Sequence, residues 1–71
     1  MTQYAVVIER EGKSFGAYVP DLPGCVAVAE TETEVRKLIR EAMAMHVQGM
    51  REDGDPIPEA RTQVEYVPLA S

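Results

Sequence analysis

The 71-residue chain has one cysteine, one histidine and no tryptophan; three tyrosines and one phenylalanine are its only aromatics. A single cysteine cannot close an intramolecular disulfide, and one histidine with one cysteine makes a poor metal set. No apolar run approaches the ~20 residues of a membrane-spanning helix. The start, MTQYAVVIER, has neither the basic opening nor the cleavage site of a secretory signal, so a cytoplasmic location is expected. Basic residues are scarce as well: 7 against 12 acidic ones, for a net charge of −5. A phosphate backbone calls for a basic face, so direct binding of DNA is not expected. A basic protein surface is the natural complement. A chain this short buries only about 60% of its unfolded surface, and small domains usually add a staple. With a disulfide excluded and a metal poorly supported, oligomerisation into a dimer or tetramer is the expected staple, and a compact monomer is the alternative. Residues 1–71 read as one domain.

The residues that are present divide cleanly by period. QYAVVIE alternates, with Tyr4, Val6 and Ile8 on one face and Ala5 and Val7 on the other, and predicts a strand over 3–9. Both faces are apolar, so this strand is expected to be central. SFGAYV predicts a second strand, with Phe15, Ala17 and Val19 opposed by Tyr18; the short link through Gly12 suits an antiparallel hairpin. Pro20 ends that ladder because it has no N–H to donate. CVAVA predicts a third strand, beginning at Cys25.

The helix carries the clearest local signals. Thr31 and Glu34 have the T-x-x-E spacing of a capping box, and Glu30, Glu32 and Glu34 sit at the positive end of the helix dipole. Val35, Leu38, Ile39, Ala42, Met45 or His46, and Gly49 follow at helical spacing. Gly54 is placed to be the C′ residue and Pro56 prevents resumption, so the helix is expected over 32–53. TQVEYVPL then supplies a fourth strand, with Val64 and Tyr66 sharing a face. The order is β-β-β-α-β: an α+β fold with a small mixed sheet and one helix on one face. Parallel third and fourth strands would make the helix a right-handed crossover. One helix covers one face of the sheet, so the other must be polar, small or covered by another chain.

Between the second and third strands lies a knot, Pro20-Asp21-Leu22-Pro23-Gly24. Each proline fixes φ near −65° and biases the residue before it away from the helical region, while Gly24 allows positive φ. The loop is therefore preformed and holds Leu22 in a set place. Leu22 either plugs the core or, with Asp21 and Pro23, presents a rigid contact surface to a partner.

Catalytic chemistry finds little support. Two-metal catalysis needs converging carboxylates, and YAVVI has none at its centre; Glu9, Glu41 and Glu65 have no motif tying them together. His46 has no evident nucleophile or orienting partner and reads as a packed or interface histidine. The neighbouring Met43, Met45 and Met50 suit adaptable packing, either in the core or against another chain. Nothing cationic stands near Cys25 to activate its thiol. Glu32 and Arg36 form an exposed i,i+4 pair of small energetic value. No catalytic residue, metal or cofactor is expected.

Tyr4-x-Val6-x-Ile8, the following hairpin, PDLPGC, Thr31-x-x-Glu34 and GDPIP fall in order along nearly the whole chain. In this the sequence resembles the HicB-like antitoxins of bacterial toxin–antitoxin pairs. It departs from them at Ala29-Glu30-Thr31, where Gly-Asp/Glu-Thr is common, and at Val35, where Ala is common. The resemblance implies a truncated ribonuclease H-like fold and a non-enzymatic role: binding a small basic HicA-type mRNA-cleaving toxin and covering its active site. A solitary domain serving as a protein or small-molecule adaptor is the alternative. Many HicB proteins also carry a DNA-binding domain after this one; with the sequence stopping at Ser71, that function is not expected to carry over. The residues expected to contact a partner are Tyr18, Asp21, Leu22, Pro23, His46 and Met50. Pro20, Gly24, Cys25, Thr31, Glu34 and Gly54 are expected to set the structure around them.

Overall fold

Strands β1 (Val7–Glu11) and β2 (Ser14–Tyr18) form an antiparallel hairpin around the two-residue turn Gly12-Lys13, with Gly12 at φ 59°. A glycine with positive φ at the first turn position fits type II′, whose twist matches that of the flanking strands. Strand β3 (Val26–Ala29) pairs antiparallel with the far side of β2, giving the order β1-β2-β3. The helix α1 (Glu32–Glu52) follows. The computed structural model describes residues 2–70.

The register assigns each side chain to a face. Ile8, Ala17 and Ala27 lie in one row across the sheet, and Arg10, Phe15 and Ala29 in the next. Both rows face α1, where Val35 and Ile39, one turn apart, are fully or almost fully buried against Ala17, Val19, Leu22, Cys25 and Ala29. Tyr4, Val6, Ile8, Leu38, Ala42, Met43 and Val47 pack around this centre. Burying a side chain such as Val35 or Ile39 stabilises the fold by about 1.5–3 kcal/mol. At the end of the inner face the Arg10 guanidinium stands 5.9 Å from the centre of the Phe15 ring, within cation–π range.

The α+β class expected from the sequence, with strands first and one helix packed on one face, is the class observed. The helix ends agree with their signals. Thr31 is the N-cap, its Oγ1 accepting from the Glu34 N–H at 3.1 Å; among the described residues the return bond from Glu34 is not made. Glu32 and Arg36 pair at 3.3 Å on the exposed face. At the other end the Asp55 N–H reaches the Met50 carbonyl (2.8 Å) and the Gly54 N–H the Arg51 carbonyl (3.2 Å). That pair of bonds is a Schellman motif, which requires the positive φ of 72° that Gly54 supplies.

Four expectations are corrected. The first strand lies over 7–11 rather than 3–9, because its ladder can extend only as far as β2 reaches before Pro20. It is an edge strand, and β2 is central. Cys25 precedes β3 rather than opening it. The segment expected to form a fourth strand runs outside the sheet, so among the described residues the sheet is wholly antiparallel and has no crossover. That segment leaves α1 through Ile57 and Pro58, whose carbonyl accepts from the Tyr4 hydroxyl at 2.6 Å.

Candidate functional site

The knot is two successive β-turns that share Leu22. The Leu22 N–H donates to the Val19 carbonyl (3.0 Å), the Cys25 N–H to the Leu22 carbonyl (3.0 Å), and the Val19 N–H to the Cys25 carbonyl (3.2 Å), closing the loop at its neck. Pro20 and Pro23 each occupy the second position of a turn, where φ near −65° is required. In the second turn the third position is Gly24 at φ 85°, the requirement of type II. In the first it is Asp21, and among the described residues only glycines have positive φ, which excludes type II there. Pro20, Pro23 and Gly24 thus each have a conformational reason for their place.

Leu22 is fully buried. It plugs the core beneath the knot, so its side chain offers no surface to a partner, contrary to the contact role expected of it. Asp21 is engaged within the chain: its Oδ2 accepts from the backbone N–H groups of Arg61 (3.0 Å) and Thr62 (2.9 Å), and its Oδ1 from the Thr62 hydroxyl (2.8 Å). The Thr62 N–H, above all, holds the Asp21 carboxyl below its usual pKa. Desolvation works against this, and the Thr62 hydroxyl, the Arg61 N–H and the Arg61 charge reinforce it. Sequence reading placed Asp21 at a contact surface and gave no sign of this clamp, since nothing local to Arg61 and Thr62 marks them as its donors. Pro23 is exposed and Tyr18 is 42% exposed. His46 and Met50 are half-buried on α1, away from the hollow described next. Burial raises the Cys25 thiol pKa, which makes it a poor nucleophile.

The sheet face turned away from α1 has no cover. Its rows are Val7, Tyr18 and Val26, then Glu9, Gly16 and Val28. Val26 is 62% and Val28 70% exposed. Together with Pro20, Pro23 and Gly24 these residues line an open hollow of about 630 Å³, bordered on the β1 side by Glu9 and Glu11. The hollow is apolar at the β3 edge and acidic at the β1 edge. Gly16, having no side chain, leaves its middle low. Among the described residues no group of three or more His, Cys, Asp or Glu side chains gathers to hold a metal. Glu9 lies on this face, Glu41 on the exposed side of α1 and Glu65 in the exposed C-terminal segment. Among the described residues no helix is long and apolar enough to cross a membrane.

Residues 4–69 match the family model described as HicB_like antitoxin of bacterial toxin-antitoxin system. The chain belongs to that family. A chain of the solved HicA3 and HicB3 toxin-antitoxin complex has a similar fold. The TM-score is 0.71 at 28% identity, over 84% of this chain and 70% of that one. A protein of Haemophilus phage HP1 (strain HP1c1), described as an uncharacterized 14.9 kDa protein in the rep-hol intergenic region, is 31% identical over 64 residues. That match covers 90% of this chain and 48% of the phage protein, so the chain spans about half the length of this curated relative.

Proposed function

We propose that this HicB-like chain is a non-enzymatic antitoxin that binds a small basic HicA-type mRNA-cleaving toxin and blocks it sterically. The outer sheet face carries this reading. Its apolar half, Tyr18, Val26 and Val28, offers burial; its acidic half, Glu9 and Glu11, offers complementary charge to a surface built to hold RNA. Pro23 extends the same face as a rigid rim. The scattered carboxylates support occlusion rather than catalysis as the mode of action. Cytoplasmic mRNA is where such a pair would act. A truncated ribonuclease H-like relationship, implied by the family resemblance, belongs to the same proposal. So does self-association, which would relieve the exposure of a face that one helix cannot cover.

The test is an mRNA-cleavage assay with a purified HicA-type RNase. Cleavage is expected to stop near one antitoxin chain per toxin. The double variant Glu9→Lys, Glu11→Lys is expected to need at least about tenfold more protein, two charge pairs having turned repulsive. Full RNase activity in excess of the unaltered chain would overturn the proposal.

A further inference from the structure

The C-terminal segment is the least explained part of the molecule. Residues 63–70 are exposed throughout, yet they include Val64, Tyr66, Val67 and Leu69, with Tyr66 at 93% and Leu69 at 92% exposure. Alternation of side chains across residues 63–67 is that of a strand, and Pro68 limits the ladder such a strand can make. The Asp21 clamp on Arg61 and Thr62 fixes the root of this arm at the knot, between the ends of β2 and β3.

The shape of the chain records the same anomaly. Its accessible surface is 5900 Å², where a compact protein of 7.8 kDa exposes about 4,400 Å². Its radius of gyration is 13.9 Å, against about 11 Å for a compact chain of this length. The longest axis, 49 Å, exceeds the ~31 Å length of a 21-residue helix. The surplus surface, roughly 1,500 Å², is ample for the ~800 Å² that each partner contributes to a stable interface.

We infer that the arm, residues 63–67, is exchanged between two copies of this chain and adds as an extra strand to the free β3 edge of the other copy. Among the described residues neither edge of the sheet pairs with a further strand, and side-chain chemistry chooses between them. On its outer face the β1 edge carries Glu9 and Glu11, so an arm paired there sets either Glu65 beside like charges or, facing the other way, Val64 and Tyr66 beside carboxylates. The β3 edge presents Val26 and Val28, next to which Val64 and Tyr66 continue an apolar row. The exchange is reciprocal, closes at two copies and removes an open edge. It also widens the outer face proposed for the toxin. The inference rests on the self-association included in the proposed function and specifies its contacts.

Sedimentation equilibrium at roughly 10 µM, without toxin, tests it. The unaltered chain is expected at the mass of two chains or of a pair of such dimers. Tyr66→Lys and Val28→Glu, each at an exposed position that leaves the core intact, are expected to weaken the dimer about tenfold through lost cross-strand contacts. An equimolar mixture of the two variants is expected to recover most of that affinity, since one exchanged arm is then unaltered and the other pairs lysine with glutamate across chains. A mass of one chain for the unaltered protein would overturn both self-association and the exchange. A dimer indifferent to Tyr66→Lys would leave self-association standing and overturn the exchange. Variants that weaken it without mutual rescue would place the arm on its own sheet or elsewhere, and would overturn it too.

Discussion

Leu22 has no exposed surface because two turns, each preset by a proline, deliver it to the space between the sheet and α1. Removing its side chain creates a cavity in a core of few residues. Leu22→Ala is therefore expected to destabilise the fold by about 2–5 kcal/mol, whereas Pro23→Ala, which only loosens the unfolded chain's restriction, should cost about 0.4–1 kcal/mol. Urea unfolding followed by circular dichroism distinguishes them, and a smaller loss for Leu22→Ala than for Pro23→Ala would refute the core role. Asp21 makes the knot pH-sensitive. Its pKa is lowered in the folded chain, so the clamp contributes fully above the usual Asp value of about 3.9. It is lost as the pH falls through the lower folded value. The amide proton signals of Arg61 and Thr62 are expected to titrate together below about pH 3.9 and to lose that dependence in Asp21→Asn. Titration at the ordinary value would show that the carboxylate is not held.

At the scale of elements, α1 is bounded by two devices of comparable worth. Thr31→Ala removes the acceptor for the Glu34 N–H and is expected to cost about 1 kcal/mol. Gly54→Ala forces a side chain into left-handed backbone and should cost about 1–2 kcal/mol. Thermal unfolding of both variants checks this; an unchanged midpoint for either would mean that the cap is replaced by water. Both ends of α1 were legible in the sequence because capping chemistry is local, spelled out within four residues. The knot's turns were legible for the same reason. Strand limits were less so. Tyr4, Val6 and Ile8 alternate as a strand should, but β1 is defined by what lies beside it, and β2 stops at Tyr18. The TQVEYVPL segment shows the limit most plainly: its strand pattern is strong, yet nothing in its own residues says which sheet edge receives it. The Asp21 clamp was invisible because it joins positions 40 and 41 residues apart.

As a whole, the molecule is a three-stranded sheet with a helix on one side and an uncovered, half-apolar and half-acidic face on the other. That asymmetry follows from the register: the rows facing α1 carry Ile8, Ala17 and Ala27, and those facing outward carry Tyr18, Val26, Val28 and Glu9. The opposite surface is different in kind, since the exposed side of α1 mixes Arg36, Lys37 and Arg40 with Glu32, Glu34 and Glu41. A basic toxin should be drawn to the first surface, which concentrates Glu9 and Glu11 beside apolar side chains, rather than to the second. The decisive measurement is an NMR titration of the labelled chain with one equivalent of a purified HicA-type RNase. Amide shifts are expected to concentrate on residues 16–18 and 23–28 and around Glu9 and Glu11, leaving Arg36, Lys37 and Arg40 unmoved. Shifts centred on the exposed side of α1, or none at all, would contradict the account.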